Sequence, residues 1–191
     1  MKKKTGIFGG SFNPIHVGHI ALARQLLKCA GLQEVWFVVS PQNPWKSEQE
    51  LLDDESRLNM VRIALRDEEN LLASDYEFHL QRPSYTLNTL RHLSEDYPER
   101  EFVLLIGGDN WAQFDKWYGY QEILNNYSIV VYPRRGEHVE EKELPENVSV
   151  VDTPLLDISS TEIRNRILQG QSIHDLVPKS IESLVLRNYQ K

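Results

Sequence analysis

The stretch Gly9-Gly10-Ser11-Phe12-Asn13-Pro14-Ile15-His16-Val17-Gly18-His19-Ile20 decides how the rest of the chain is read. Before it, Thr5-Gly6-Ile7-Phe8 has the composition of a short buried strand. After it, Ala21 to Leu27 has the apolar spacing of a helix. The stretch is therefore a strand-to-helix turn. Gly9 and Gly10 allow close approach of a ligand to the backbone, and Pro14 stiffens the loop. His16 and His19, three apart, share one face of the first helical turn. Unpaired N–H groups and the positive end of the helix dipole lie at the same place. Two imidazoles, bare N–H groups and a glycine loop at one helix start suit a polyphosphate. Zinc ligation by the two histidines would need a third ligand, and no His, Cys or acidic residue stands nearby in sequence.

Outward from this turn, strands and helices alternate. Val35 to Ser40 is a continuous apolar run, the mark of a strand buried on both faces. A loop follows at Pro41 to Lys46. The spacing predicts a helix over 54–66 with Leu58, Val61 and Leu65 inward, a strand within 71–80, and a helix over 86–97. Phe102 to Ile106 reads as another buried strand, ending at Gly107-Gly108-Asp109-Asn110. Ile129 to Tyr132 is a further strand, closed by Pro133-Arg134-Arg135-Gly136. The acidic segment 137–147 reads as a solvated excursion and 148–151 as a last short strand. Gly31 suits a helix C-terminus, and two final helices start near Ser160 and Pro178. This order implies an α/β fold: a doubly wound, Rossmann-like, mostly parallel sheet with helices on both faces. In such folds the ligand sits beyond the carboxyl ends of the strands, where strand order reverses. If the strands ending at Gly9-Gly10 and Gly107-Gly108 are neighbours, one cleft receives both loops.

The bulk numbers bound the rest. A chain of 191 residues is expected to form one domain, with the helices from about 159 packing onto it. The net charge of −7 argues against a general nucleic-acid binder. The single cysteine, Cys29, cannot form an internal disulfide, which fits a reducing cytoplasm. No apolar signal core follows the basic amino terminus, and no apolar run approaches the roughly 18 residues of a membrane span. The expectation is a cytoplasmic protein without membrane or nucleic-acid partners.

A second stretch reads Asp157-Ile158-Ser159-Ser160-Thr161-Glu162-Ile163-Arg164. Ser159 and Glu162 form a capping box, with Ile158 and Ile163 as its staple. Ser160 then sits at the first helical position, with its hydroxyl expected free, and Arg164 one turn on over the same face. A phosphate at this helix start would meet N–H groups, a hydroxyl and a guanidinium together.

Together the two stretches resemble the signatures of the nucleotidylyltransferase superfamily: Gly-x-Phe-x-Pro-x-His-x-Gly-His at Gly10, Phe12, Pro14, His16, Gly18 and His19, and Ile-Ser-Ser-Thr-x-Ile-Arg at 158–164. Pro83 to Thr86, Gly107 to Asp109, Trp117-Tyr118, Asn43 to Lys46 and Pro133 to Gly136 are similar to the matching pieces of bacterial nicotinate-nucleotide adenylyltransferases. One departure is Trp45, where that family usually has histidine. The resemblance implies adenylyl transfer from ATP to nicotinate mononucleotide, with deamido-NAD and pyrophosphate as products. It assigns Gly9, Gly10, Ser11, Phe12, His16, His19, Arg134, Ser159, Ser160 and Arg164 to ATP. Lys46, Thr86, Gly108, Asp109, Trp117 and Tyr118 are assigned to the mononucleotide, and His16, His19, Lys46 and Arg164 to catalysis. Mg²⁺ is expected to bridge phosphate oxygens without protein side-chain ligands. Alternatives are an adenylyltransferase for nicotinamide mononucleotide or phosphopantetheine, or a non-catalytic nucleotide sensor. Oligomeric state is not legible.

Overall fold

A computed structural model describes residues 1–41, 51–133, 139, 144–154 and 156–190. Six strands form one sheet: β1 (Lys3–Gly10), β2 (Glu34–Val39), β3 (Leu71–Ser74), β4 (Arg100–Gly107), β5 (Ser128–Tyr132) and β6 (Val148–Val150). Their order is β3-β2-β1-β4-β5-β6, and every neighbouring pair is parallel. The chain winds one way from β1 to β3, then crosses back to lay β4 on the other side of β1. The reversal therefore falls between β1 and β4, so the two glycine-ended strands are neighbours.

Alternation along each strand divides the core in two. Phe37 and Val39 of β2 and Val103 and Leu105 of β4 face one side, with Ala23 and Leu26 of α1 (Val17–Cys29) and Leu58 and Val61 of α2 (Asp54–Ala64). Trp36 and Val38, with Leu104 and Ile106, face the other side. There they meet Leu87, Leu90 and Leu93 of α3 (Thr86–Asp96) and Ile123 of α5 (Tyr120–Asn126). The short α4 (Gly108–Trp111) follows β4. The closing helices α6 (Ser160–Leu168) and α7 (Glu182–Tyr189) return to the first side, through Ile163, Ile167 and Val185.

The strand expected within 71–80 is present as Leu71–Ser74, and a 3₁₀ turn follows at Tyr76–His79. The Ser74 hydroxyl accepts from Tyr76 N–H at 3.3 Å, offering the backbone a local turn in place of a ladder. The helix over 54–66 ends at Ala64, and the last helix starts at Glu182, not near Pro178. Gly31, at φ +60°, stands just past the end of α1.

At the amino-terminal edge of the sheet, away from the turns, Glu34 is 3% exposed. Its carboxylate takes hydrogen bonds from Thr5 Oγ1 (2.8 Å) and Trp36 Nε1 (3.1 Å), and pairs with Lys3 (2.7 Å) and Arg100. The Arg100 guanidinium also lies over the Trp36 ring, 5.1 Å from its centroid. Burial works to raise the Glu34 pKa, but the bonds from Lys3 and Thr5 and the charges of Arg100 and Lys3 outweigh it and hold the carboxyl below its ordinary value. A depressed folded-state value contributes stability that is complete above the unfolded-state value, near 4.5, and is lost as pH falls through the folded-state one. Glu34→Gln is thus expected to cost about 1.5–3 kcal/mol at pH 7, the worth of hydrogen bonds to a charged group. That difference should shrink as the pH is lowered below about 4.5. Urea unfolding of both proteins at stepped pH checks this; a gap that does not change with pH would contradict it.

Candidate active site

The cleft at the carboxyl edge of the sheet encloses about 650 Å³, within the size range of roughly 300–1,000 Å³ for ligand sites. One wall is the turn after β1. There Gly9, Gly10, Ser11 and Phe12 lead to His16, and His19 follows in the first turn of α1. The His16 N–H donates to His19 Nδ1 at 3.1 Å. Because Nδ1 accepts, the ring proton of His19 sits on Nε2. The two imidazoles stack with centroids 3.6 Å apart, and the His19 ring also meets the edge of Phe12 at 5.1 Å. Gly18 makes the stack possible: a Cβ there would stand 3.0 Å from His16 Cε1 and Nδ1.

The start of α6 closes the same wall, with Ser159, Ser160, Thr161 and Arg164 on the cleft. The Ser159 side chain accepts from Glu162 N–H at 3.1 Å, as a cap should. The expected free hydroxyl of Ser160 is corrected: it donates to Pro14 O at 2.8 Å. Arg164, one turn on, donates through Nη1 to Asn13 O at 2.8 Å. The second motif therefore grips the backbone of the first as well as lining the cleft.

The opposite wall comes from the other half of the fold. Thr86 opens α3, Asp109 lies in α4, and Trp117 and Tyr118 follow the 3₁₀ turn Phe114–Lys116; all four line the cleft. The Trp117 ring is braced by Phe114 at 5.4 Å, and the Tyr118 ring lies 4.8 Å from Tyr85. Gly119 locks this loop to α3. Its φ is +64°, which favours glycine, and a Cβ there would fall 2.2 Å from Leu87 Cδ2, so the end of that side chain would have to move. Gly108 does not join the wall. It is buried at the first position of α4, one residue behind Asp109. Lys46 and Arg134, with Trp45, lie outside the described residues.

Residues 7–166 match the model of the cytidylyltransferase-like family. A Bacteroides fragilis protein named "Probable nicotinate-nucleotide adenylyltransferase" is 48% identical over 97% of this chain and 92% of its own length. A Bacteroides thetaiotaomicron protein of the same name is 52% identical, over 90% of this chain and 85% of its own. The chain belongs to the nicotinate-nucleotide adenylyltransferase family. Its fold is also that of Plasmodium falciparum nicotinic acid mononucleotide adenylyltransferase, solved in complex with NaAD: TM-score 0.81 at 23% identity, covering 98% of this chain and 97% of that one.

In and behind the cleft of this nicotinate-nucleotide adenylyltransferase stand further polar side chains that no motif announced. Glu77, 8% exposed, lines its deep end and accepts from Ser40 Oγ (3.0 Å) and Thr89 Oγ1 (2.9 Å), joining the tip of β2 to α3. Burial pushes its carboxyl above the ordinary value, against the pull of those two bonds. Tyr189 of α7 donates from its hydroxyl to Asn13 Oδ1 at 2.6 Å, and burial pushes that phenol up. Arg57 of α2 is wholly buried behind the turn. Among the described residues no group of three or more His, Cys, Asp or Glu side chains could hold a metal ion, and no helix is long and apolar enough to cross a membrane.

Proposed function

We propose that this chain transfers AMP from ATP to nicotinate mononucleotide, releasing pyrophosphate and forming nicotinate adenine dinucleotide, a step of NAD biosynthesis. One observation carries the reading. Two motifs from opposite ends of the chain, around His16–His19 and Ser159–Arg164, converge on one wall of a cleft whose facing wall holds Thr86, Asp109, Trp117 and Tyr118. The names of the relatives supply the acceptor.

The nucleophile is the acceptor's own phosphate, largely deprotonated at pH 7 because its second pKa is about 6. One of its oxygens bonds to the α-phosphorus as the bond from that phosphorus to the bridging oxygen breaks, and pyrophosphate leaves with the electron pair. No protein base or covalent intermediate is required. The chain's work is to align two anions that repel one another and to stabilise charge in the transition state. His19 would donate from Nε2 at the α-phosphate, with His16 beside it. The start of α6 and Arg164 would hold the outer phosphates, with Lys46 and Arg134 as further cations. Thr86 and Tyr118 would meet the nicotinate carboxylate through backbone N–H groups, Trp117 the ring, and Asp109 the ribose side.

Adenylyl transfer from ATP calls for a divalent metal, and we assign Mg²⁺. The donor set fits an ion that arrives on the triphosphate: this wall of the cleft offers imidazole, hydroxyl, N–H and guanidinium groups. Bound on the triphosphate, Mg²⁺ would neutralise charge on the phosphate oxygens without needing a protein side-chain ligand. With ATP and a mononucleotide as substrates, we assign the protein to the cytoplasm and treat its described length as one catalytic unit.

Pyrophosphate release with ATP and each of nicotinate mononucleotide, nicotinamide mononucleotide and phosphopantetheine tests the reading. Fastest turnover with the first is expected. Preference for another acceptor would reassign the substrate, and no release with any would leave a nucleotide sensor. Arg164 gives a separate prediction. Arg164→Ala is expected to weaken ATP by about 1.5–3 kcal/mol, the worth of a charge-assisted hydrogen bond, and to leave mononucleotide affinity nearly unchanged. Calorimetry with each ligand alone checks it; equal losses would remove Arg164 from the triphosphate subsite.

A further inference from the structure

A loop that binds phosphate through its N–H groups carries an equal number of carbonyl oxygens, whose negative ends repel the same anion. In the turn after β1 three of these oxygens are drawn onto donors: Ser11 O by Arg57, Asn13 O by Arg164 and Pro14 O by Ser160. Two donors come from the second motif. The third, Arg57, belongs to no motif and does not line the cleft.

All five N–H donors of the Arg57 guanidinium are used. Nη1 donates to Ser11 O and to Ser40 O (2.9 Å), Nη2 to Pro41 O (3.3 Å) and Asp54 Oδ1 (2.6 Å), and Nε to Leu52 O (2.9 Å). Ser11 and Ser40 both line the cleft, one after β1 and the other after β2. The side chain thus fixes the exits of two neighbouring strands against each other. Asp54 also pairs with Arg82 at 2.9 Å.

We propose that Arg57 is a positioning residue for adenylyl transfer: it holds the phosphate-facing turn in its binding conformation by withdrawing the Ser11 carbonyl and clamping the turn to the tip of β2. The proposal rests on the cleft being the ATP site. A merely structural Arg57 would lower the melting temperature and leave ATP handling by the folded protein intact. A positioning Arg57 acts selectively on the ATP side.

The test uses the full-length chain with Arg57→Lys, which keeps the charge but has three donors, and Arg57→Met, which has neither charge nor donors. Thermal melts, kcat and KM for each substrate, and calorimetric affinity for Mg²⁺ with α,β-methylene ATP are measured. In the folded variants kcat is expected to fall by about 10²-fold for Met, the cost of misplacing a reacting group by about 1 Å. The analogue should weaken with it, nicotinate mononucleotide affinity should stay within about threefold, and Lys should recover part of the loss. Normal kcat and analogue affinity in folded variants, or equal weakening of both ligands, would overturn the proposal. So would failure of both variants to fold, because the clamp would then belong to folding itself. Wild-type protein that does not bind the analogue would overturn the ATP reading and this inference together; loss confined to the variants bears on Arg57 alone.

Discussion

Replacing His19 by alanine is expected to lower turnover at saturating ATP by about 10²–10³-fold, the usual cost of removing one transition-state donor. The size follows from how firmly the ring is held. Its Nδ1 accepts from the His16 N–H at 3.1 Å, which puts the donor at Nε2. One face stacks on His16 at 3.6 Å, while the rings of Phe12 and Phe8 approach at 5.1 and 6.2 Å. A donor fixed this way would need no reorganisation as charge develops on the α-phosphate, and alanine removes that donor together with the acceptor of the His16 N–H. The core of α1 does not depend on this side chain, since Ile20, Ala23 and Leu26 supply its buried face. The variant should therefore stay folded with a modestly lower melting temperature, the cost of one helix cap, and kcat from pyrophosphate release is the deciding measurement. A folded variant with near-normal turnover would take His19 out of the reaction.

The larger effect concerns the choice between two acceptors. Nicotinate and nicotinamide mononucleotides differ only by a carboxylate against an amide, and both present an aromatic face to Trp117. Stacking on that ring is worth about 1–3 kcal/mol, by analogy with nucleobases, and cannot tell them apart. Hydrogen-bond direction can. The first turn of α3, at Thr86, presents backbone N–H groups that the helix itself does not pair. Gly119 and Leu87 hold the Trp117–Tyr118 loop against that turn. N–H donors from the two elements would satisfy both oxygens of a carboxylate, whereas an amide would turn its NH₂ toward one of them. Sites that read polar groups in this way discriminate by about 10⁴-fold, and we expect a ratio of kcat/KM of that order in favour of the acid. Trp117→Ala should lower kcat/KM for both acceptors by similar factors and leave the ratio nearly constant. A ratio that collapsed in the variant would give the choice to Trp117 itself.

What the sequence by itself determined is whatever local chemistry controls. Apolar runs and glycine-ended strands gave the α/β class, because a strand buried on both faces must be apolar throughout. Ser160 and Arg164 were legible as a pair because helical spacing brings residues four apart onto one face, whereas His16 is the extended residue capping α1 and meets His19 through the cap. The resemblance singled out Thr86, Asp109, Trp117 and Tyr118, which the structure brings to one cleft and which periodicity alone would have left as a helix start, loop and core. The strand expected within 71–80 was legible, and the structure fixed its bounds at Leu71–Ser74. Only the tertiary structure decided that β1 lies against β4, and with that, that the two halves of the cleft face each other. It alone turned the Ser160 hydroxyl onto Pro14, and it alone exposed the roles of Arg57, Glu77 and Tyr189. Their partners lie 46, 37 and 176 residues away along the chain, at Ser11, Ser40 and Asn13. A charged or polar residue in a helix or turn reads as solvated, because burial normally costs it more than it gains. What reverses that expectation is a complete set of hydrogen-bond partners, and those partners come together only when distant segments have already folded onto one another.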